Sequence, residues 1–205
     1  MPRTKEQFEE MRQATKYKIQ NAASYLFAKK GIAGTNVQEI ADRAGISIGL
    51  LYRHYKTKEE LFSDLVNMAI TGLSETTERF LSDADTKENL TEMTAEIVED
   101  YKKNDEFSNY LTFITQAFTS GLQNDALDRL IAEDKKLIAA LAALIERGQR
   151  NDAFRSGNSH ELAITYMSTI QGIGLFQNVL GADFVVPSVD TLYGSFLSGQ
   201  GGIFF

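Results

Sequence analysis

Cysteine and tryptophan are absent from the 205 residues, and histidine occurs only at His54 and His160. Without cysteine there are no disulfides, no thiolate zinc or iron–sulfur sites and no thiol catalysis. Two histidines far apart in sequence leave little material for an imidazole-based active site, so no catalytic residue, metal or cofactor is expected. Proline is nearly absent, at Pro2 and Pro187 alone, and no Asn-Gly or Asp-Gly pair separates alternating apolar runs. Strands therefore have little support. No run of charged, apolar and then small residues opens the chain, so a cytoplasmic location is expected. At 43% apolar and 24% charged, the composition is that of a globular protein able to bury a core.

What is present is helical periodicity. Ile19, Ala22, Ala23, Leu26 and Phe27 form one apolar stripe. Leu127, Leu130, Ile131, Leu137, Ile138, Leu141, Leu144 and Ile145 form a longer one, and Val189, Leu192, Tyr193, Phe196 and Leu197 a third. Gly-, Asn-, Asp- and Ser-rich breaks fall near residues 31–35, 45–47, 56–57, 82–86, 104–105, 121–124, 152–159 and 181–188. Between them lie about nine helices, short in the N-terminal block and long after Thr57. The fold class is all-α.

Charge divides the chain unevenly. Residues 1–60 carry eleven Lys/Arg against seven Asp/Glu, whereas the remainder is strongly acidic and the whole chain stands at −7. A basic block on an acidic body points to a polyanion partner for the first part alone. Arg3, Lys5 and Arg12 are offset by Glu6, Glu9 and Glu10, so the extreme N-terminal stretch reads as a solvated helical extension.

Residues 16–60 carry the most specific pattern. A first helix should stop at Gly31, a left-handed terminator. Thr35 with Gln38, or Asn36 with Glu39, then offers a capping box for a brief helix, with Val37, Ile40, Ala41 and Ala44 inward and Gly45 ending it. Ser47 caps a second short helix from Ile48 to about His54, with Leu51 and Tyr55 inward. Two short helices joined by Ala44-Gly45-Ile46-Ser47 have the connection of a helix-turn-helix. Such a unit sets the start of its second helix into a major groove while flanking donors hold phosphates. Tyr52, Arg53, His54 and Lys58 supply phenol, guanidinium, imidazole and ammonium groups within seven residues, although His54 taken alone reads as an idle surface histidine.

The continuous stretch from Gly31 to Leu61 resembles the DNA-binding domain of the TetR family of bacterial transcriptional regulators. It carries a spaced set of Gly, Thr35, Ile40-Ala41, Ala44-Gly45, Leu51-Tyr52, His54 and Lys58-Glu59-Glu60-Leu61. The resemblance implies a dimeric, ligand-responsive regulator, most often a repressor, with a helix-turn-helix domain over 1–56 and an effector-binding and dimerisation domain over 57–205. By position, Thr35, Asn36, Tyr52, His54 and Lys58 correspond to phosphate contacts. Gln38, Ser47, Ile48, Gly49, Leu50 and Arg53 correspond to positions near bases or adjacent backbone. Ile48 and Leu50 depart from the family's usual basic and small residues. They cannot bond base edges, so thymine-methyl contacts are expected there, with polar readout by Gln38 and Arg53.

The body holds an aromatic row at helical spacing, which reads first as core. It is also the kind of lining that leaves an apolar pocket between bundle helices. An effector pocket, implied by the resemblance, is expected among Ile97, Tyr101, Tyr110, Phe113, Leu137, Tyr166 and Ile170, suited to an apolar or aromatic compound. Glu96, Glu99 and Asp100 could select a cation, but a solvated face explains them better. From Leu162 to Phe205 the only charges are Asp183 and Asp190. Interspersed Thr, Ser, Gln and Asn and the lack of basic flanks argue against a spanning helix. Two helices covered by a second copy of the chain are expected instead, with Gly172 and Gly174 permitting close packing. Ile173, Phe176, Gln177, Leu180, Leu192, Tyr193, Phe196 and Leu197 are the candidate dimer contacts. An all-α enzyme with an apolar pocket and an architectural DNA binder without an effector remain the competing readings. A body filled by its own side chains would favour the second.

Overall fold

In the computed structural model, residues 4–121 and 124–194 are described, and they form nine α-helices and one 3-10 turn, with no strand among them. The helices are α1 Lys5–Gly34, α2 Val37–Ala44, α3 Ile48–His54, α4 Lys58–Leu81 and α5 Thr86–Lys103. They continue as α6 Glu106–Thr119, α7 Asp125–Arg150, α8 Ser159–Leu180 and, after the 3-10 turn Gly181–Asp183, α9 Val189–Tyr193.

Most of the breaks read from sequence supply a side chain that closes the next helix. Asn36, Ser47, Thr57, Asp85, Asn124, Asn158 and Ser188 each accept a hydrogen bond from a backbone N–H of the first turn. These bonds satisfy amides that have no partner within the helix. Of the two overlapping capping boxes, the Asn36–Glu39 pair forms. Thr35 is instead buried, and its hydroxyl donates to the Gly31 carbonyl at 2.8 Å. Gly31 (φ 69°) interrupts α1, so regular helix ends where its left-handed backbone begins, and Ile32–Gly34 only turn toward α2. The first turns of α1, residues 4–14, are exposed, as a solvated extension should be; Arg3 lies outside the described residues.

Two apolar cores hold the molecule. The first gathers Ile19, Ala23 and Phe27 of α1, Ile40 and Ala41 of α2, Leu51 of α3, Tyr55, and Leu61, Phe62 and Leu65 of α4. Phe113 and Leu130 from α6 and α7 complete it, so the short-helix head and the body share one interior. Phe62 meets Phe113 edge-on at 5.5 Å, and Phe27 lies 5.7 Å from the same ring. The second core joins Phe80, Leu90, Val98, Leu141, Leu144, Ile145, Tyr166 and Tyr193. No helix among the described residues is long and apolar enough to cross a membrane.

Candidate nucleic-acid interface and body cavity

The α2–α3 pair is anchored by apolar residues beneath and leaves polar ones outside. Ile40, Ala41, Leu51 and Tyr55 are buried, and Gly45 (φ 66°) makes the left-handed turn that ends α2. Ser47 accepts from the Leu50 N–H at 3.2 Å, which fixes the start of α3. With this anchoring, Ser47, Gly49, Tyr52 and Arg53 are exposed, and Ile48, Leu50 and His54 half-buried. Arg53 makes no hydrogen bond or ion pair among the described residues, so its guanidinium is available. The Arg43 guanidinium lies 3.2 Å from the centre of the Tyr25 ring, clamping α2 to α1.

Some of the expected contact residues are already engaged. Gln38 is exposed, with its amide donating to Asp42 at 2.7 Å. Lys58 Nζ donates to the Thr35 carbonyl at 2.8 Å, tying the start of α4 to the start of α2. The Thr35 hydroxyl points inward, which corrects the expectation that it faces outward for phosphate. Burial, and then the charges of Arg12 and Lys16, push His54 below its ordinary value of 6.5.

A second feature lies in the body. A cavity of about 310 Å³ opens between α4, α5, α6, α7 and α8. Of the expected pocket residues, Ile97, Tyr110, Leu137 and Ile170 line it. Tyr101, Phe113 and Tyr166 do not, because each is committed to a core. The Tyr101 hydroxyl donates to the Ile170 carbonyl at 2.5 Å, and the Tyr166 hydroxyl pairs with Thr94 at 2.8 Å. A buried phenol needs such a partner, and these bonds hold Tyr166 within the second core and Tyr101 buried against Phe107. Phe113 is held in the cluster with Phe27 and Phe62.

Phe107 and Phe118 of the aromatic row also line the cavity, as do Met68, Met93, Leu111 and Met167, which were not among the expected pocket residues. Three acids also line it, of which Glu96 and Asp100 were read from sequence and Asp134 was not. Asp134 had a legible signal. It occupies the helical-stripe position between Leu130–Ile131 and Leu137–Ile138, where an apolar residue is expected. Glu96 and Asp100 stand at the cavity and not only on a solvated face, which corrects that reading; Glu99 is exposed.

The expected dimer contacts divide. Phe176 (59% exposed) and Leu180 lie on an open face of α8 together with Ile164, Leu175 and Val179. Gln177 faces the chain's own interior, accepting from Ser108 and donating to the Tyr101 carbonyl. Ile173 packs against the second core, and Leu192 and Tyr193 are buried in it. Gln177, Leu192 and Tyr193 are thus corrected to intramolecular roles among the described residues, where α9 packs on α5. Gly174 admits Leu111 and the Tyr101 hydroxyl of its own chain, while Gly172 faces open space. Phe196 and Leu197 lie outside the described residues.

Comparison with known proteins bears on the same segment. Residues 19–65 match the model described as bacterial regulatory proteins, tetR family. The HTH-type transcriptional regulator AcrR of Shigella flexneri is 35% identical over 63 residues, 31% of this chain and 29% of that protein. The chain thus spans less than a third of the curated relatives it matches first. The solved MbdR regulator from Azoarcus sp. CIB superposes with a TM-score of 0.72 at 23% identity, over 90% of this chain and 98% of that one. AibR, solved with isovaleryl coenzyme A and operator DNA, gives a TM-score of 0.63 at 18% identity over 88% of this chain and 94% of its own. At these identities the likeness in structure concerns the fold.

Proposed function

We propose that the chain, whose residues 19–65 match the model of bacterial regulatory proteins, tetR family, is a member of that family and a dimeric, effector-released repressor of transcription. The observation that carries this reading is the exposed α3. Ser47, Gly49, Tyr52 and Arg53 stand outside a helix pair whose Leu51 and Tyr55 are sunk in the first core. We assign α3 to a major groove, with Asn36, Tyr52, His54 and Lys58 at phosphates and Gln38, Ser47, Ile48, Gly49, Leu50 and Arg53 near base edges.

Two heads are needed to read successive grooves, which lie about 34–36 Å apart on one face of DNA. The apolar outer face of α8, from Ile164 to Leu180, supports a second copy as its cover. Effector binding is assigned to the body cavity, and its openness favours a responsive regulator over an effector-free architectural protein. The coupling route runs through aromatic contacts. Cavity-lining Tyr110 lies 6.1 Å from Phe113, which meets Phe27 of α1 and Phe62 of α4. The Tyr110 hydroxyl also donates to the Leu65 carbonyl of α4 at 2.9 Å. An effector that moves Tyr110 therefore presses on the helix that begins beside the head. Reciprocity requires operator DNA to weaken effector binding by the same factor.

Footprinting on DNA flanking the coding region tests the assignment. One protected palindrome, lost steeply with salt, is the expected result. Equal affinity for random duplex removes the specific-regulator reading. Arg53→Ala should weaken operator binding by about ten- to hundredfold, the worth of one good base contact. Its thermal midpoint should stay within error of the parent, since no intramolecular bond is lost. An Arg53→Ala protein that binds the operator normally would remove Arg53 from the interface.

A further inference from the structure

The cavity is apolar over most of its wall, yet its charges have one sign. Glu96, Asp100 and Asp134 line it, and no lysine or arginine does. Two of these acids have counter-ions at the rim. Glu96 meets Arg79 at 2.8 Å, and Asp100 meets Lys103 at 2.8 Å. Asp134 differs from both. It makes no hydrogen bond or ion pair among the described residues, and its neighbours one helical turn away are Leu130, Ile131, Leu137 and Ile138. The nearest cations along α7 are Lys135 and Lys136, both exposed, with Lys136 held by Glu133 at 2.7 Å.

A carboxylate held half out of water without a partner is unfavourable, and burial pushes Asp134 above the ordinary carboxyl value. The position is also one that the α7 stripe would otherwise fill with an apolar side chain. A charge in such a place is offset when a bound cation supplies the missing partner. Phe107, Tyr110 and Phe118 line the same space, and aromatic faces attract cations. Met68, Met93 and Met167 add polarisable, adaptable surface for an apolar body of variable shape. An anion meets the unpaired Asp134 carboxylate as a like charge, and a neutral ligand leaves it unpaired.

We propose that the body cavity selects a lipophilic monocation, an ammonium or similar centre on an apolar or aromatic body, with the Asp134 carboxylate as its counter-ion. This rests on the reading of the cavity as the effector site and names the class of effector. About 310 Å³ limits the enclosed part to a small compound or to the head and first segment of a longer one.

The test uses three probes with one skeleton: octyltrimethylammonium, octanol and octanoate, titrated calorimetrically into the full chain. The cation should bind once per chain and at least tenfold more tightly than either analogue. Asp134→Asn should reduce that advantage to threefold or less while octanol keeps its parental affinity, which shows the cavity intact. Asp128→Asn removes the same charge from an exposed position on α7 and should change nothing, separating a local counter-ion from general attraction to an acidic protein. Octanol or octanoate binding the parent as tightly as the cation overturns the proposal, as does a cation preference that survives in Asp134→Asn. Absence of binding by all three overturns it together with the cavity reading. If the cation binds through Asp134 and operator affinity does not change, the cation site stands and its role as effector site falls.

Discussion

Gly148→Ala is expected to destabilise the protein by about 3 kcal/mol, the scale of overpacking together with partial loss of a buried aromatic ring. Helix propensity alone gives the opposite sign, since alanine is favoured over glycine inside a helix by about 1 kcal/mol. The steric argument wins by distance. A methyl group at Gly148 would lie 2.0 Å from Phe154 Cδ2 and 2.3 Å from Cε2, far inside contact. Phe154 cannot yield easily, being 3% exposed and packed edge-on against Tyr193 at 6.2 Å. Urea denaturation measures the loss. Adding Phe154→Leu should make the double variant less destabilised than the two single effects combined, because the smaller side chain vacates the space. Gly72→Ala in α4 is the contrast: nothing lies within 4 Å of its added carbon, so it should gain stability. A stabilised Gly148→Ala protein would mean that Phe154 does not rest on that glycine.

The second large effect is expected at Asp64, where three elements converge on one carboxylate. Its Oδ2 accepts from Tyr55 at 2.6 Å and Gln20 at 2.9 Å, and Lys16 Nζ stands at 3.1 Å. Tyr55 follows α3, Gln20 and Lys16 lie on α1, and Asp64 is in α4. Removing the carboxylate leaves the buried Tyr55 hydroxyl and Gln20 amide without this acceptor. Asp64→Ala should cost about 2–3 kcal/mol, the usual penalty for orphaned buried donors. It should also weaken operator binding, because α3 loses its polar tie to α4. Burial pushes the Asp64 carboxyl upward, but hydrogen bonds from Tyr55, Gln20 and Lys16 and the Lys16 charge outweigh it and hold it below 3.8. A depressed folded value means the stabilisation is complete above the unfolded carboxyl value, about 3.9. It fades as pH falls through the lower folded value. The stability difference between parent and Asp64→Asn should therefore be flat from pH 6 to 8 and shrink only under acid, at about pH 4 and below. A difference that changes near neutrality would place its origin in another group.

The two predictions sit on opposite sides of what a sequence can convey. Tyr55 and Leu51 declare themselves as inward by spacing, and Ser47 and Asn36 as caps by chemistry and position. These are local properties, set within a helical turn or two. The Asp64 hub is not local: its donors lie 9, 44 and 48 residues away, and no periodicity pairs them. The same limit explains the pocket. Ile97, Tyr110, Leu137 and Ile170 were accessible as apolar residues on the right helices, but Tyr101 and Tyr166 read identically. Only the positions of the Ile170 carbonyl and Thr94, brought close by packing, turned those two rings into the core.

The tail shows the distinction most plainly. Its lack of charge marked it as covered surface, yet within the chain the outer face of α8 leaves Phe176 and Val179 exposed. What the composition could not distinguish was cover by the same chain from cover by another. Leu192 and Tyr193 went inside, Gln177 found Ser108, and Gly174 received Leu111. The amino-acid order by itself therefore determined the helices, their caps and the helix-turn-helix, because hydrogen bonding and apolar periodicity act over a few residues. The tertiary structure alone decided which aromatic rings bound the cavity, that Asp134 faces it without a partner, and which carboxylate ties head to body. Those outcomes depend on which distant groups satisfy one another once the helices pack.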